Sequence, residues 1–227
     1  MIRALLLFAL MGSSPGICAV KTLFEQCQYF IDQKMWQEAH SYCRQAADYG
    51  HPLSQFWLGS LFYEGLGVAK SLKLAFHWWF KSAQEGNVTA QYNLGRLYQW
   101  GLGVSKNAHL ALHWYQQAAQ HQDAYAQHSL GVLYQQGLGV EQDLSMARQW
   151  YEKAANQGLA ESQYNLAQLY FKHARDPVKA YVWLLMASRQ GDKLAHQDLE
   201  TLNTVLTPEQ KNKALQHVAR IRAAIIK

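Results

Sequence analysis

The chain repeats itself every 36 residues, and this limits its folds more than any other property. Leu58-Gly59-Ser60-Leu61-Phe62 recurs as Leu94-Gly95-Arg96-Leu97-Tyr98 and again as Leu130-Gly131-Val132-Leu133-Tyr134. Leu166-Ala167-Gln168-Leu169-Tyr170 keeps the register but replaces the glycine. Other landmarks travel with this one. Gly65-Leu66-Gly67-Val68 returns from Gly101 and from Gly137, and the pair Trp78-Trp79 returns as Trp114-Tyr115, Trp150-Tyr151 and Trp183-Leu184. Small pairs close each unit: Ser82-Ala83, Ala118-Ala119, Ala154-Ala155 and Ala187-Ser188. A fixed period of this size marks an array of supersecondary units, each burying its apolar face only by stacking on its neighbours.

The unit reads as two helices. Ala90, Leu94, Leu97 and Tyr98 lie at steps of three and four, as do Ala111, Trp114, Ala118 and Ala119, which is the spacing of one helical face. Between the faces, Gly65, Gly101 and Gly137 can take the left-handed conformation that ends a helix. Ser71, Asn107 and Asp143 then stand where the next helix needs an N-cap, and Asp176, followed by Pro177, does so in the fourth unit.

These landmarks together, A-x-x-x-L-G-x-x-Y-x-x-G-x-G-V followed by A-x-x-W-Y-x-x-A-A-x-x-G, closely resemble the Sel1-like repeat family, relatives of the tetratricopeptide repeats. Units 51–86, 87–122 and 123–158 match nearly throughout, and 159–191 has lost three residues and the glycine loop. Residues 20–50 read as a divergent first repeat. Residues 192–227 read as a C-terminal helical cap, with Thr207-Pro208-Glu209-Gln210 as a capping box and Leu215, Val218, Ile221 and Ile225 as its apolar stripe. The resemblance implies an all-α fold, a right-handed α-solenoid of antiparallel helix pairs. It also implies a binding scaffold with a concave groove lined by the first helix of each pair.

The first residues stand apart from the repeats. A basic start, the apolar run Ala4 to Met11, a Gly-Ser-Ser-Pro-Gly break and Ile17-Cys18-Ala19 have the layout of a signal peptide over 1–19, cleaved near Ala19. The mature chain would then be periplasmic or secreted. Cleavage leaves Cys27 and Cys43. With helices over Leu23–Ile31 and Trp36–Ala47 and a turn near Met35, an antiparallel hairpin sets these two residues opposite each other. A disulfide suits an exported protein; two buried free thiols are the alternative.

Charge and motif both argue against chemistry. The formal net charge of +5 comes from scattered Lys and Arg, whereas nucleic-acid binders gather them on one face, so no nucleic-acid partner is expected. The basic helix at the C-terminus is read as a solenoid cap rather than a membrane contact. The Gly-x-Gly loops follow helices and recur at the repeat period, so they are joints and not phosphate cradles. His109 and His113 share a helical face but lack a third ligand nearby in sequence, and no nucleophile motif is present. The chain is therefore expected not to be an enzyme and to need no metal or cofactor.

What remains is recognition. By analogy with tetratricopeptide repeats, the variable positions between the shared apolar ones face the groove. They are Phe56 and Trp57; Tyr92, Asn93, Arg96 and Gln99; His128 and Gln135; and Tyr164, Asn165 and Gln168. Amides bond both sides of an extended backbone, and aromatics and Arg are common hot-spot residues. The expectation is an adaptor for a protein or peptide partner of unknown identity, serving envelope assembly, signalling or host contact. The alternative is a periplasmic enzyme or a peptidoglycan-associated factor that takes a glycopeptide in the same groove. Asn87-Val88-Thr89 also has the form of a glycosylation sequon.

Overall fold

A computed structural model describes residues 16–225. Their regular structure is entirely helical, twelve α-helices joined by short turns. The greater part of the expected leader, residues 1–15, lies outside the described residues. Its final residues, through Ala19, belong to α1, which begins at Ile17. The chain divides into two compact units at Glu85–Gly86, next to the boundary between the first and second repeats read from the sequence.

The first unit holds α1 (Ile17–Asp32), α2 (Trp36–Asp48), α3 (Pro52–Glu64) and α4 (Leu72–Gln84). α1 packs on α2, α3 on α4, and α2 on α3. Cys27 and Cys43 are fully buried and joined by a disulfide, with Cα atoms 4.7 Å apart. Gly65 ends α3 with φ +78°. Gly67 lies where a Cβ would come 2.3 Å from the Trp36 carbonyl oxygen, so the glycine loop is seated on the start of α2.

The second unit holds α5 (Val88–Trp100), α6 (Ala108–Gln120), α7 (Ala124–Gln136), α8 (Leu144–Asn156), α9 (Ala160–Lys172), α10 (Pro177–Ser188), α11 (Lys193–Val205) and α12 (Pro208–Ile225). Successive helices pack as hairpins, α5 with α6, α7 with α8 and α9 with α10, and the hairpins stack through α6 on α7, α8 on α9 and α10 on α11. The first helix of each pair (α3, α5, α7, α9 and α11) is termed its A helix and the second its B helix.

Local chemistry sets the helix ends as the sequence predicts. Ser71, Asn107, Asp143 and Asp176 accept backbone N–H bonds from the first turns of α4, α6, α8 and α10. Asn87 accepts from the Ala90 N–H at 2.8 Å, so the sequon asparagine is the N-cap of α5. Thr207 and Gln210 form the reciprocal pair of a capping box, and α12 packs back on α10. In α12 the buried residues are Ala214 and Val218, with Ile221 partly buried beside them. The predicted stripe holds at Val218 and Ile221, but Leu215 is 43% exposed and Ala214 takes its place in the core.

In the second and third repeats the core differs from the sequence reading in one respect. Trp114 and Trp150 are only half-buried, while the second member of each pair, Tyr115 and Tyr151, is fully buried. Each of these rings lies against a glycine of the A helix. A Cβ on Gly95 would come 2.5 Å from the Tyr115 ring, and one on Gly131 would come 2.6 Å from the Tyr151 ring. Gly59 meets Trp79 in the same way at 2.5 Å. The repeated glycine thus makes room for an aromatic ring.

Candidate functional site

All eleven residues read as groove-facing are half-buried and lie on A helices: Phe56 and Trp57 on α3, the other nine on α5, α7 and α9. The structure separates them into residues that serve the scaffold and residues that present a surface.

Gln99 and Gln135 belong to the scaffold. The Tyr115 hydroxyl donates to Gln99 Oε1 at 2.6 Å, and the Tyr151 hydroxyl donates to Gln135 Oε1 at 2.7 Å. A side chain of the following A helix lies beside each hydroxyl, Ser129 for Tyr115 and Asn165 for Tyr151. Burial pushes both phenols well above their ordinary pKa, so they remain neutral donors. The tyrosine joins its own A helix to the next, and Asn165 with the two glutamines is committed to that joint. The His128 ring lies 5.5 Å from the Tyr151 ring, tilted by 51°, and its Nδ1 lies 2.8 Å from the Ser162 hydroxyl of α9. Burial holds this imidazole below its ordinary pKa, with the Glu161 carboxylate opposing.

The surface is built differently. On α5 the Arg96 guanidinium lies over the Tyr92 ring at 5.9 Å. The Tyr92 ring is 5.8 Å from the core ring of Tyr115 and 6.0 Å from that of Tyr125 on α7. Tyr125 is 57% exposed. It sits where the other repeats carry Leu53, Thr89 and Glu161, so no pattern singled it out; an aromatic at an otherwise aliphatic or polar position was the available signal. Asn93 is beside this cluster in sequence, half-buried on α5. In the first unit, Phe56 and Trp57 pack at 5.2 Å, and the Phe56 carbonyl accepts from Trp79 Nε1 at 3.1 Å.

At the C-terminal end of the second unit, Tyr164 and Gln168 converge on Asp198 of α11. Gln168 Nε2 donates to the carboxylate at 2.6 Å, and Tyr164 lies beside it. A cleft of about 260 Å³ opens beside them, lined also by Ala167, Phe171, Leu184 and Leu202.

One repeated residue escaped the sequence reading altogether. Gln55, Gln91, Gln127 and Gln163 occupy the same position in all four repeats and are buried. Gln55 Nε2 donates to the Ala47 carbonyl at the end of α2, and Gln163 Nε2 to the Ala155 carbonyl at the end of α8. A polar residue retained in every repeat after a small one was the signal. In these two repeats it adds a second bond to a carbonyl near the end of the preceding helix, which already accepts from the Gly50 or Gly158 N–H.

Among the described residues no three His, Cys, Asp or Glu side chains gather in a way that would hold a metal ion; His109 and His113 are both exposed on α6. Nothing in the arrangement concentrates reacting groups. It offers aromatic, guanidinium and amide groups on a helical face.

Stacked helical hairpins with a period of 36, variable on the A-helix face and uniform within, define a helical-repeat binding scaffold. The repeats are of one kind: the Sel1 repeat model matches residues 52–87, 88–123, 124–159 and 160–192, more than half of the chain, and the chain belongs to that family. Among solved structures it is similar to a Sel1 repeat protein from Oxalobacter formigenes, with 30% identity and a TM-score of 0.71 over 79% of this chain and 74% of that one. It is also similar to c5321, a protective antigen of uropathogenic Escherichia coli strains, with 29% identity and a TM-score of 0.54 over 83% of this chain but 49% of that one. The immunity protein Pa5087 from Pseudomonas aeruginosa shares the fold at 19% identity, with a TM-score of 0.51 over 91% of this chain and 83% of that one. Among curated proteins none matches. Proteins of this family are generally protein-interaction scaffolds, and the fold is typically non-catalytic.

Proposed function

We propose that the chain is an exported adaptor that holds an extended segment of a partner protein against the A-helix face of α5, α7, α9 and α11. The observation that carries this reading is the Tyr92–Arg96–Tyr125 cluster. Its members are the residue types that dominate binding hot spots, they sit at variable positions of the repeat, and Tyr125 contributes an exposed ring. The half-buried amide of Asn93 adds a group able to bond a peptide backbone on both its donor and acceptor sides.

Export is supported by the layout of residues 1–19 and by the Cys27–Cys43 disulfide, since disulfides persist in oxidising compartments. Among the described residues no helix is long and apolar enough to cross a membrane. In a bacterium the compartment would be the periplasm or beyond, where such an adaptor serves envelope assembly, signalling or host contact.

Two measurements test the two halves of the reading. Mass spectrometry of the protein recovered from the envelope should find an N-terminus near Val20 and both cysteines oxidised; an intact Met1 or free thiols would refute export. Affinity capture should recover one stoichiometric protein with the wild type and lose it with Arg96→Ala and Tyr125→Ala. Undiminished recovery with both variants would remove this face from the binding role.

A further inference from the structure

The fourth repeat breaks the pattern at four positions that meet in space. In the third repeat Tyr151 of the B helix lies on Gly131, donates its hydroxyl to Gln135 and sits beside Asn165 of the following A helix. The second repeat does the same with Tyr115, Gly95, Gln99 and Ser129. In the fourth repeat the tyrosine is Leu184, the glycine is Ala167, the glutamine is Phe171 and the next-helix partner is Asp198. All four line the cleft of about 260 Å³. The cleft lies where the second and third repeats seat their own tyrosine ring.

The replacements act together. Leu184 is shorter than a tyrosine and leaves the outer part of the site open. Ala167 fills the space that a glycine gave to the ring, which blocks a tyrosine at 184 from returning to it. Phe171, 48% exposed, replaces a polar acceptor with an aromatic wall. Asp198 keeps a polar group at the end where the phenol oxygen sits in the other repeats, now as an anion. A carboxylate accepts hydrogen bonds and donates none, and its two oxygens offer about four lone-pair sites. The bond from Gln168 uses one of these, so the carboxylate, which lines the cleft, keeps acceptor capacity.

We infer that this cleft receives a tyrosine side chain of the partner segment, which takes the place of the ring that the fourth repeat lacks and donates its hydroxyl to Asp198. The inference rests on the reading of the A-helix face as a binding surface and adds an anchor to it. An aromatic anchor in a pocket, surrounded by weaker contacts, is how most peptide-binding surfaces gain their affinity. The apolar floor of Ala167, Leu184 and Leu202 suits the ring, and the carboxylate suits the positive end of the O–H dipole.

The test uses p-cresol as the tyrosine probe and toluene as its counterpart without the hydroxyl, followed by amide chemical shifts of the full chain. p-Cresol should shift the amides of Ala167, Phe171, Asp198 and Leu202 saturably. It should bind about tenfold more tightly than toluene, the ratio that one hydrogen bond to a charged group gives. Asp198→Asn should reduce that ratio. Ala167→Gly with Leu184→Tyr, which rebuilds the site of the third repeat, should abolish the shifts. Thr201→Trp, at an exposed position that lines the cleft, occludes it with one substitution and serves if the double variant does not fold. Absence of saturable shifts in the wild type, equal binding of the two probes, or p-cresol shifts that survive filling of the cleft would each overturn the inference. None of these results bears on the Tyr92–Arg96–Tyr125 cluster, which is tested separately by partner capture.

Discussion

Gly131 lies beneath the ring of Tyr151 so closely that a Cβ there would come within 2.6 Å of it, and in the next repeat the same two positions are Ala167 and Leu184. Within one chain, the glycine and the aromatic change together. Gly131→Ala should therefore cost about 1–3 kcal/mol, the range for overpacking a core. Combining it with Tyr151→Leu should recover part of the loss, with a favourable coupling of about 0.5–3 kcal/mol. Chemical unfolding of the four proteins of this cycle measures it, and strictly additive losses would contradict the pairing.

The disulfide closes a loop with a sequence separation of 16 between Cys27 and Cys43. A loop of that size contributes about 3 kcal/mol by restricting the unfolded chain. Thermal unfolding with and without a phosphine reductant should show a marked drop on reduction. Cys27→Ala with Cys43→Ala should match the reduced protein and show no further response to the reductant.

The repeated buried glutamine is a stability element. Gln163 donates to the Ala155 carbonyl at 3.1 Å and accepts from Gln190 at 2.9 Å. Gln163→Leu keeps most of the volume and removes one of the two bonds to that carbonyl, which the Gly158 N–H also bonds at 3.0 Å, at a cost of about 0.5–1.5 kcal/mol. Denaturant titration checks this, and an unchanged midpoint would show that the bond is dispensable.

His128 should make stability depend on pH. Burial holds its folded-state pKa below the ordinary value of 6.5. Above 6.5 the imidazole is neutral in both states and its packing contributes in full. As pH falls below 6.5 the unfolded chain takes up the proton first, so stability declines until the folded-state pKa is passed. His40 and His51 are lowered in the same direction by burial, so the informative quantity is the difference between wild type and His128→Gln. The variant should lose less stability between pH 7 and pH 5 than the wild type does; parallel profiles would contradict this account.

Much of the architecture was legible because it is written locally. The glycine that ends α5, the asparagine that starts α6 and the Thr207–Gln210 box act within a few residues of chain, and the structure has each of them. The site was harder to read because its residues are sorted by contacts between helices. Gln99 and Gln135 looked like surface amides, yet each accepts from a tyrosine 16 residues further on. Tyr125 sits at a position with no shared character and left no mark in the pattern. Ala167 and Leu184 were visible as two separate lapses of the repeat; only the folded hairpin brings them to one cleft.

The central claim is that the A-helix face of the second unit, and not its B-helix face, meets the partner. Site-specific photo-crosslinking tests it most directly, with p-benzoylphenylalanine placed at Tyr125 on α7, at Phe171 on α9 and, as a control, at the exposed His113 on α6. The account predicts crosslinks from positions 125 and 171 to one segment of one protein and none from position 113. Crosslinks from position 113, with none from 125 and 171, would contradict it.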